Sequence, residues 1–364
     1  MSLITYKYRI KESVSGKHLL QMASAVNYVW NYCQEVSLLA LRRDKTYLSA
    51  YDLHTLTAGT SKDLRLSSST IQQVCTEYVT RKRQCKKIKL KWRSHKRSLG
   101  WIPFKSANVQ LDNDTVIYYG HRLRLWLSRP VEGVIKTGSF TQDARGRWYV
   151  NFQCEVADAE EPIGHLDLGI DLGLKHHITC SDGVQYSREN LTKKHEDALA
   201  MAQRAHKKKR VKAIQAKIAN TRSDWTHKAT TDIARRAKLI VVGDVASAKL
   251  TKTAFAKSTY DAAWHNIRHQ LNYKAIRLAG VCVSGSEMFS SVTCSDCGAR
   301  SGPSGLRALR VREWVCSSCG VAHERDVNAA RNILALRTGR GTPTRESPGF
   351  SRGEDVKTLD SMCH

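Results

Sequence analysis

Two Cys-x-x-Cys knuckles, Cys294-Ser-Asp-Cys297 and Cys316-Ser-Ser-Cys319, constrain this chain more than any other feature. A single knuckle would also suit a redox pair. Two of them, about twenty residues apart, match the spacing of a tetrahedral structural zinc site. Each is followed by a glycine, Gly298 or Gly320, suited to the tight turn that aims two thiolates at one ion. Shortly beyond the second knuckle runs Glu324-Arg325-Asp326-Val327-Asn328-Ala329-Ala330-Arg331-Asn332, an acidic helix start. Cys294, Cys297, Cys316 and Cys319 are therefore expected to hold a structural Zn²⁺ and, through it, to position a carboxylate.

Lys and Arg number 59 against 33 Asp and Glu, a net charge of +26. That balance implies a polyanionic partner, with nucleic acid first and a membrane surface second. No stretch approaches the roughly 18 apolar residues of a membrane span, and Met1 to Arg9 has no apolar signal core. The other cysteines (33, 75, 85, 154, 180, 282 and 363) are scattered, as in a reduced cytoplasmic protein. The densest basic run, from Arg81 to Arg97, contains no acid. Self-repulsion at that density favours neutralisation by phosphates over a merely solvated helix face. Arg81, Lys82, Arg83, Lys86, Lys87, Lys89, Lys91 and Arg93 are thus expected to contact nucleic acid. Trp92 and Trp101 are either stacking partners for bases or buried tryptophans.

Pattern divides the chain further. Ile4 to Ile10 alternates as a short strand. Residues 16 to 95 read as largely helical, with a second helical pattern over Ser69–Cys85. From Trp101 to Val156 the chain turns to β-structure: strands flank Gly120-His121, and another follows the turn at 143–146. The N-terminal strand would complete this β-barrel-like module, and Ala157 to Pro162 reads as a linker. Beyond it come a strand through Asp171, a second over His177–Cys180, and a long helical segment from about Arg188 to Ala237. Leu239-Ile240-Val241-Val242 is a fully apolar run, the mark of a buried parallel strand. A helix over Tyr260–Ala279 and a strand over Val281–Phe289 lead into the knuckles. This order fits a ribonuclease H-like α/β domain.

Phosphodiester hydrolysis by two metal ions needs carboxylates converging from separate elements, and hard oxygen ligands suit Mg²⁺. Asp171, mid-strand between Gly169 and Gly173, fits the first position, with small neighbours leaving room for metal and phosphate. Asp167 falls on the same face but near the strand's start, where it is peripheral. Asp326 opens the last helix, where a carboxylate supports the helix N-terminus and is placed to bind metal.

Gly169-Ile170-Asp171-Leu172-Gly173, the double knuckle and Arg325-Asp326-Val327-Asn328-Ala329-Ala330-Arg331-Asn332-Ile333 together resemble the TnpB family of transposon-encoded, RNA-guided DNA nucleases, relatives of type V CRISPR effectors. Asn220 to Lys228, Leu271 to Ala275, Tyr8-Arg9-Ile10 and Trp30-Asn31 resemble further motifs of that family. The resemblance implies a β-barrel wedge domain (1–10 and 100–157) interrupted by a helical recognition domain (11–99). It then implies a RuvC-like nuclease domain (163–290 and 321–337) with an inserted zinc ribbon (291–320), and residues 338–364 read as a disordered tail. It also implies a guide RNA, a double-stranded DNA target with a short flanking motif, and a prokaryotic, nucleoid-associated setting.

One position departs from the family. Its second acid is a glutamate at the end of the buried strand, where this chain has Gly243. Three outcomes are open: the acid has moved to Glu287, or to Asp244, or the site has decayed. The leading expectation is an RNA-guided, Mg²⁺-dependent DNA endonuclease using Asp171, Glu287 and Asp326. The alternatives are a nuclease-deficient guided DNA-binding repressor and a transposase proper.

Overall fold

The computed structural model describes residues 1–11, 15–94, 97–244, 262–304 and 310–338. The tail beyond Thr338 and the first two residues of the expected helix from Tyr260 lie outside them. The chain forms two units, dividing between Ala157 and Asp158.

The first unit holds β1 (Ser2–Ile10), α1 (Ser15–Asp44), α2 (Ala50–Leu56), α3 (Ser61–Leu64), α4 (Ser68–Cys85), β2 (Trp101–Lys105), β3 (Val109–Asp112), β4 (Thr115–Tyr118), β5 (His121–Trp126), β6 (Val134–Gln142) and β7 (Trp148–Val156). Its strands form one sheet in the order β2-β6-β7-β1-β5-β4-β3. The two edge strands, β2 and β3, are joined by only Ser106–Asn108. So short a link forces the sheet to curl until its edges nearly meet. Alternate residues of β7 are buried, and Phe104, Tyr118, Phe140 and Phe152 fill the interior. Phe140 lies 5.0 Å from both Phe104 and Tyr118 between ring centroids. Burying each such ring contributes roughly 1.5–3 kcal/mol. The α1 side chains Met22, Val26, Val29, Trp30 and Cys33 recur at helical spacing and are buried with Val74, Cys75 and Tyr78 of α4 in the same core.

Helix α4 ends where Lys86 turns left-handed (φ 49°), so the basic run is helical only to Cys85. Beyond it the chain is irregular and clipped to α1. Gln34 Oε1 accepts from the Leu90 amide at 2.8 Å, and Asn31 both accepts from the Arg93 amide (2.9 Å) and donates to its carbonyl (2.8 Å).

The second unit carries β8 (Leu166–Asp171), β9 (Ile178–Cys180), β10 (Gln185–Tyr186), α5 (Leu191–Lys194), α6 (Glu196–Arg204), α7 (Lys208–Arg236), β11 (Ala237–Gly243), α8 (Trp264–Arg277), β12 (Val281–Gly285), β13 (Glu313–Val315), β14 (Ala322–Glu324) and α9 (Arg325–Thr338). The long helix expected over 188–237 is broken in two places: α5 closes at His195, and a left-handed His206 (φ 50°) follows α6. The main sheet has the order β10-β9-β8-β11-β12. Strands β8 to β10 form an antiparallel meander, while β11 runs parallel to both β8 and β12. Ile240, Val241 and Val242 are buried, as a strand covered on both faces requires. The strand expected to reach Phe289 stops at Gly285, and a turn follows.

Candidate active site and four-cysteine cluster

Helix α9 lies directly against β8. A Cβ on Gly169 would come within 2.0 Å of the Ala330 carbonyl oxygen. Gly169 therefore leaves room for the helix backbone, not for metal or phosphate as expected from the sequence. Residues two apart on a strand share a face, so Asp171 points to the same side as Gly169, the side that α9 covers. Burial pushes the Asp171 carboxyl up to about 7, with the negative charges of Asp326 and Glu324 adding to it and Arg325 opposing. Asp326 opens α9 with 14% of its side chain exposed, and Arg312 Nη1 donates to its two oxygens at 3.1 and 3.2 Å. Asp167 is exposed, with Lys238 Nζ at 3.9 Å.

At the position of the expected second acid, space decides which side chain is present. In the parallel pairing of β11 with β8, Val242 lies opposite Ile170, so Gly243 falls next to Asp171 one residue further along, about 4.8 Å away across the sheet. A Cβ at 243 would lie 2.1 Å from Glu287 Oε1 and 2.7 Å from its Cγ. The Glu287 side chain thus fills the volume that a side chain at 243 would occupy. It reaches there from the turn after β12, because the Asp244 carboxylate accepts the Glu287 amide at 3.1 Å while the Asp244 amide donates to the Gly285 carbonyl at 3.0 Å. Asp244 orients the turn that carries Glu287, and its Oδ1 is engaged in doing so.

The four cysteines come together as the spacing predicts, their sulfurs within 4.8 Å of one another. Cys294 and Cys319 are 3.7 Å apart, Cys297 and Cys316 3.6 Å. A zinc ion with Zn–S bonds near 2.3 Å would space its thiolates by about 3.8 Å, so the donor set fits. In each knuckle the glycine amide donates back to the first cysteine carbonyl, at 3.0 Å for Gly298 and 2.9 Å for Gly320. Both glycines have positive φ, 77° and 74°, which a side chain would strain. His323 Nε2 lies 3.0 Å from Cys294 Sγ, and the Ser301 hydroxyl lies 3.1 Å from Cys316 Sγ, a hydrogen bond that pulls the Cys316 thiol down to about 5.

The expected nucleic-acid contacts divide. Arg83, Lys86, Lys87, Lys89 and Lys91 are exposed. Arg81 donates to Glu77 at 2.7 Å, and Lys82 is half-buried beside the Tyr47 and Tyr78 rings. Arg93 is corrected: it is buried (7% exposed), donating Nε to Asn27 at 2.6 Å and Nη2 to the Leu99 carbonyl at 2.9 Å, between the Trp30 and Trp101 rings. Trp92 is exposed. Three residues of the site were unassigned by sequence: Arg312, Glu324 and Asn328. Arg312 lies between the knuckles, where no periodicity marks it. Glu324 and Asn328 lie inside the helix-start motif, which was the available signal.

Fold and site together define a mixed α/β domain whose sheet ends beside partly buried carboxylates, joined to a four-cysteine cluster through one helix. Residues 151–254 match the family described as “Probable transposase” (OrfB_IS605), and residues 264–333 match the “Cas12f1-like, TNB domain”. The resemblance of the motifs to the TnpB family is borne out by these matches. A protein of Streptomyces pristinaespiralis named “Putative RNA-guided DNA endonuclease” is 35% identical over 224 residues, covering 57% of this chain and 55% of that one. The “Putative RNA-guided DNA endonuclease InsQ” of Escherichia coli K12 is 29% identical over 238 residues, covering 57% and 58%. The chain thus matches little more than half the length of these relatives. A solved structure described as “Cryo-EM structure of the Cas12f1-sgRNA-target DNA complex” aligns at TM-score 0.38 and 14% identity, over 93% of this chain and 100% of that chain, a likeness too distant to bear on the site.

Proposed function

We propose that this chain is an RNA-guided DNA endonuclease of transposon origin, with a ribonuclease H-like (RuvC) domain, a structural zinc ribbon and a relocated second acid. The observation that carries the proposal is the exchange at the sheet end: Glu287 fills the side-chain volume that Gly243 leaves beside Asp171. The sheet order, an antiparallel meander continued by two parallel strands, supports the fold. The names of the relatives support the activity.

Asp171, Glu287 and Asp326 would hold Mg²⁺. Bound there, such ions would supply Lewis-acid activation of a water and stabilisation of the leaving oxygen of the phosphodiester. The chain's own part is positional. β8 presents Asp171 under α9, α9 presents Asp326 at its first turn, and the Asp244-held turn brings Glu287 into the space that Gly243 leaves beside Asp171. The Asp171 carboxyl, held near 7, must give up its proton to act as a ligand. Specificity would come from base pairing between a guide RNA and one DNA strand, with the protein gripping backbones through its basic surface and reading a short flanking motif.

The test is a swap. The chain is purified with the RNA it retains, and cleavage of a matched target is measured with Mg²⁺. Glu287→Gln is expected to lower the rate roughly a thousandfold with RNA retained, the several kcal/mol that a metal ligand contributes. Gly243→Glu should also lose activity, because the two carboxylates collide. The double variant Gly243→Glu with Glu287→Ala should recover much of it. Full cleavage by Glu287→Gln would refute the relocation. Target binding without cleavage in wild type would make the protein a guided DNA-binding repressor.

A further inference from the structure

Helix α9 is joined to the loop that precedes the first knuckle by two buried amides. Asn328 and Asn332 are four residues apart and so lie on one helix face; they are 1% and 9% exposed. Asn328 Nδ2 donates to the Ser290 carbonyl (3.2 Å) and the Thr293 carbonyl (2.8 Å), while its Oδ1 accepts the Ser295 amide at 2.9 Å. Asn332 Nδ2 donates to the same two carbonyls at 2.7 and 2.6 Å. Each carbonyl therefore receives two donors, the full complement of its lone pairs. Ser295 directly follows the ligand Cys294. At the other end of the loop, Ser290 donates its amide to the Glu287 carbonyl at 3.1 Å. Glu287, the loop, Cys294 and the first turn of α9 form one hydrogen-bonded frame.

We propose that Asn328 and Asn332 are the positioning residues of this site, transmitting the geometry of the four-cysteine cluster to Glu287 and Asp326. The inference rests on the nuclease reading for its consequence and on the frame itself for its existence. Asparagine suits the role chemically: its amide offers two donors for the paired carbonyls and one acceptor for the Ser295 amide. Aspartate has nearly the same shape but only acceptors when ionised, and it would face two carbonyl oxygens. Alanine makes none of the bonds. The two positions are unequal. Asn332 shares both its acceptors with Asn328, whereas Asn328 alone holds the residue after Cys294.

The full chain, Zn²⁺-loaded and with its RNA, is compared with Asn328→Ala, Asn328→Asp and Asn332→Ala. The first readout is the rate of Zn²⁺ loss to a colorimetric chelator. The second is the Mg²⁺ concentration giving half-maximal thermal stabilisation. The third is cleavage at saturating target. Asn328→Ala and Asn328→Asp are expected to speed Zn²⁺ loss and to raise the Mg²⁺ midpoint roughly 10- to 100-fold, as partners of metal ligands do. Asn332→Ala should raise the Mg²⁺ midpoint while changing Zn²⁺ loss much less. Cleavage should fall alongside and recover in part at high Mg²⁺. Unchanged Zn²⁺ loss and Mg²⁺ midpoint in folded Asn328→Asp would overturn the proposal. So would loss of RNA retention and cooperative unfolding in all three variants, since the amides would then serve only general stability. The first two readouts need no cleavage, so a wild type that does not cut leaves this test standing while the nuclease reading falls.

Discussion

Asp171 shows how a single side chain can be made costly to the fold that carries it. Burial and the neighbouring charge of Asp326 hold its carboxyl near 7, against an ordinary 3.8. Because the folded value lies above the unfolded one, the contribution to stability is fully present below about pH 4 and is lost as pH rises towards 7. Without divalent cations, wild type should therefore lose thermal stability between about pH 4 and pH 7. Asp171→Asn should stay nearly level over the same window and be the more stable at pH 8 by roughly 2–4 kcal/mol. Added Mg²⁺ should narrow that gap, since a cation supplies the missing counter-charge. Thermal melts of both proteins across this range decide the matter, and parallel pH profiles would count against a buried, charge-coupled Asp171. The neighbouring exchange of Gly243 for Glu287 was only half legible in the sequence. The missing acid was visible as a glycine. Which side chain reaches the space it leaves was not visible, because the Asp244 hydrogen bond that turns Glu287 into that volume is made by residues 43 apart in sequence.

Elements set by their own periodicity were legible. β1, α4 and the buried strand β11 follow from alternation, helical spacing and unbroken apolar sequence. Features fixed by a partner element were not. The glycines around Asp171 suggested open space, but Gly169 is where the backbone of α9 touches the sheet, and Gly285 has Val241 and Ile333 at 2.8 and 3.3 Å from a Cβ. The reach of the last main strand was overestimated for a similar reason, as the turn after Gly285 is set by its contacts rather than by residue pattern. Gly169→Ala follows from this packing. Its methyl meets a helix carbonyl, backbone that does not swing aside, so α9 must lift and Asp326 with it. The cost should be roughly 1–3 kcal/mol in urea unfolding, as for overpacked cores, with cleavage reduced further than stability explains. Wild-type stability in Gly169→Ala would mean that α9 is not seated on β8 as described.

At the scale of the molecule the dominant fact is charge, and +26 cannot be neutralised from within. A polyanion that binds it releases counterions, so affinity for a nucleic acid should fall steeply with salt. Composition alone could not say which cations do this work. The run from Arg81 to Arg93 reads as one uniform basic stretch, yet three asparagine and glutamine side chains of α1 divide it. By clipping Leu90 and Arg93 into place, Asn27, Asn31 and Gln34 turn one arginine inward and leave the five cations from Arg83 to Lys91 exposed. Burial lowers the Arg93 guanidinium to about 10, the signature of a group taken out of water to serve packing. The two kinds of residue should therefore fail differently. Replacing Lys87 or Lys89 by alanine should leave thermal stability unchanged and flatten the plot of log affinity against log salt by about 0.7 per lost contact, for single-stranded RNA of any sequence. Replacing Arg93 by alanine should leave that slope intact and instead lower the melting temperature of the protein, because Asn27 and the Leu99 carbonyl lose their donor inside the core. A slope that drops for Arg93→Ala in a protein of unchanged stability would show the guanidinium to be a phosphate contact after all.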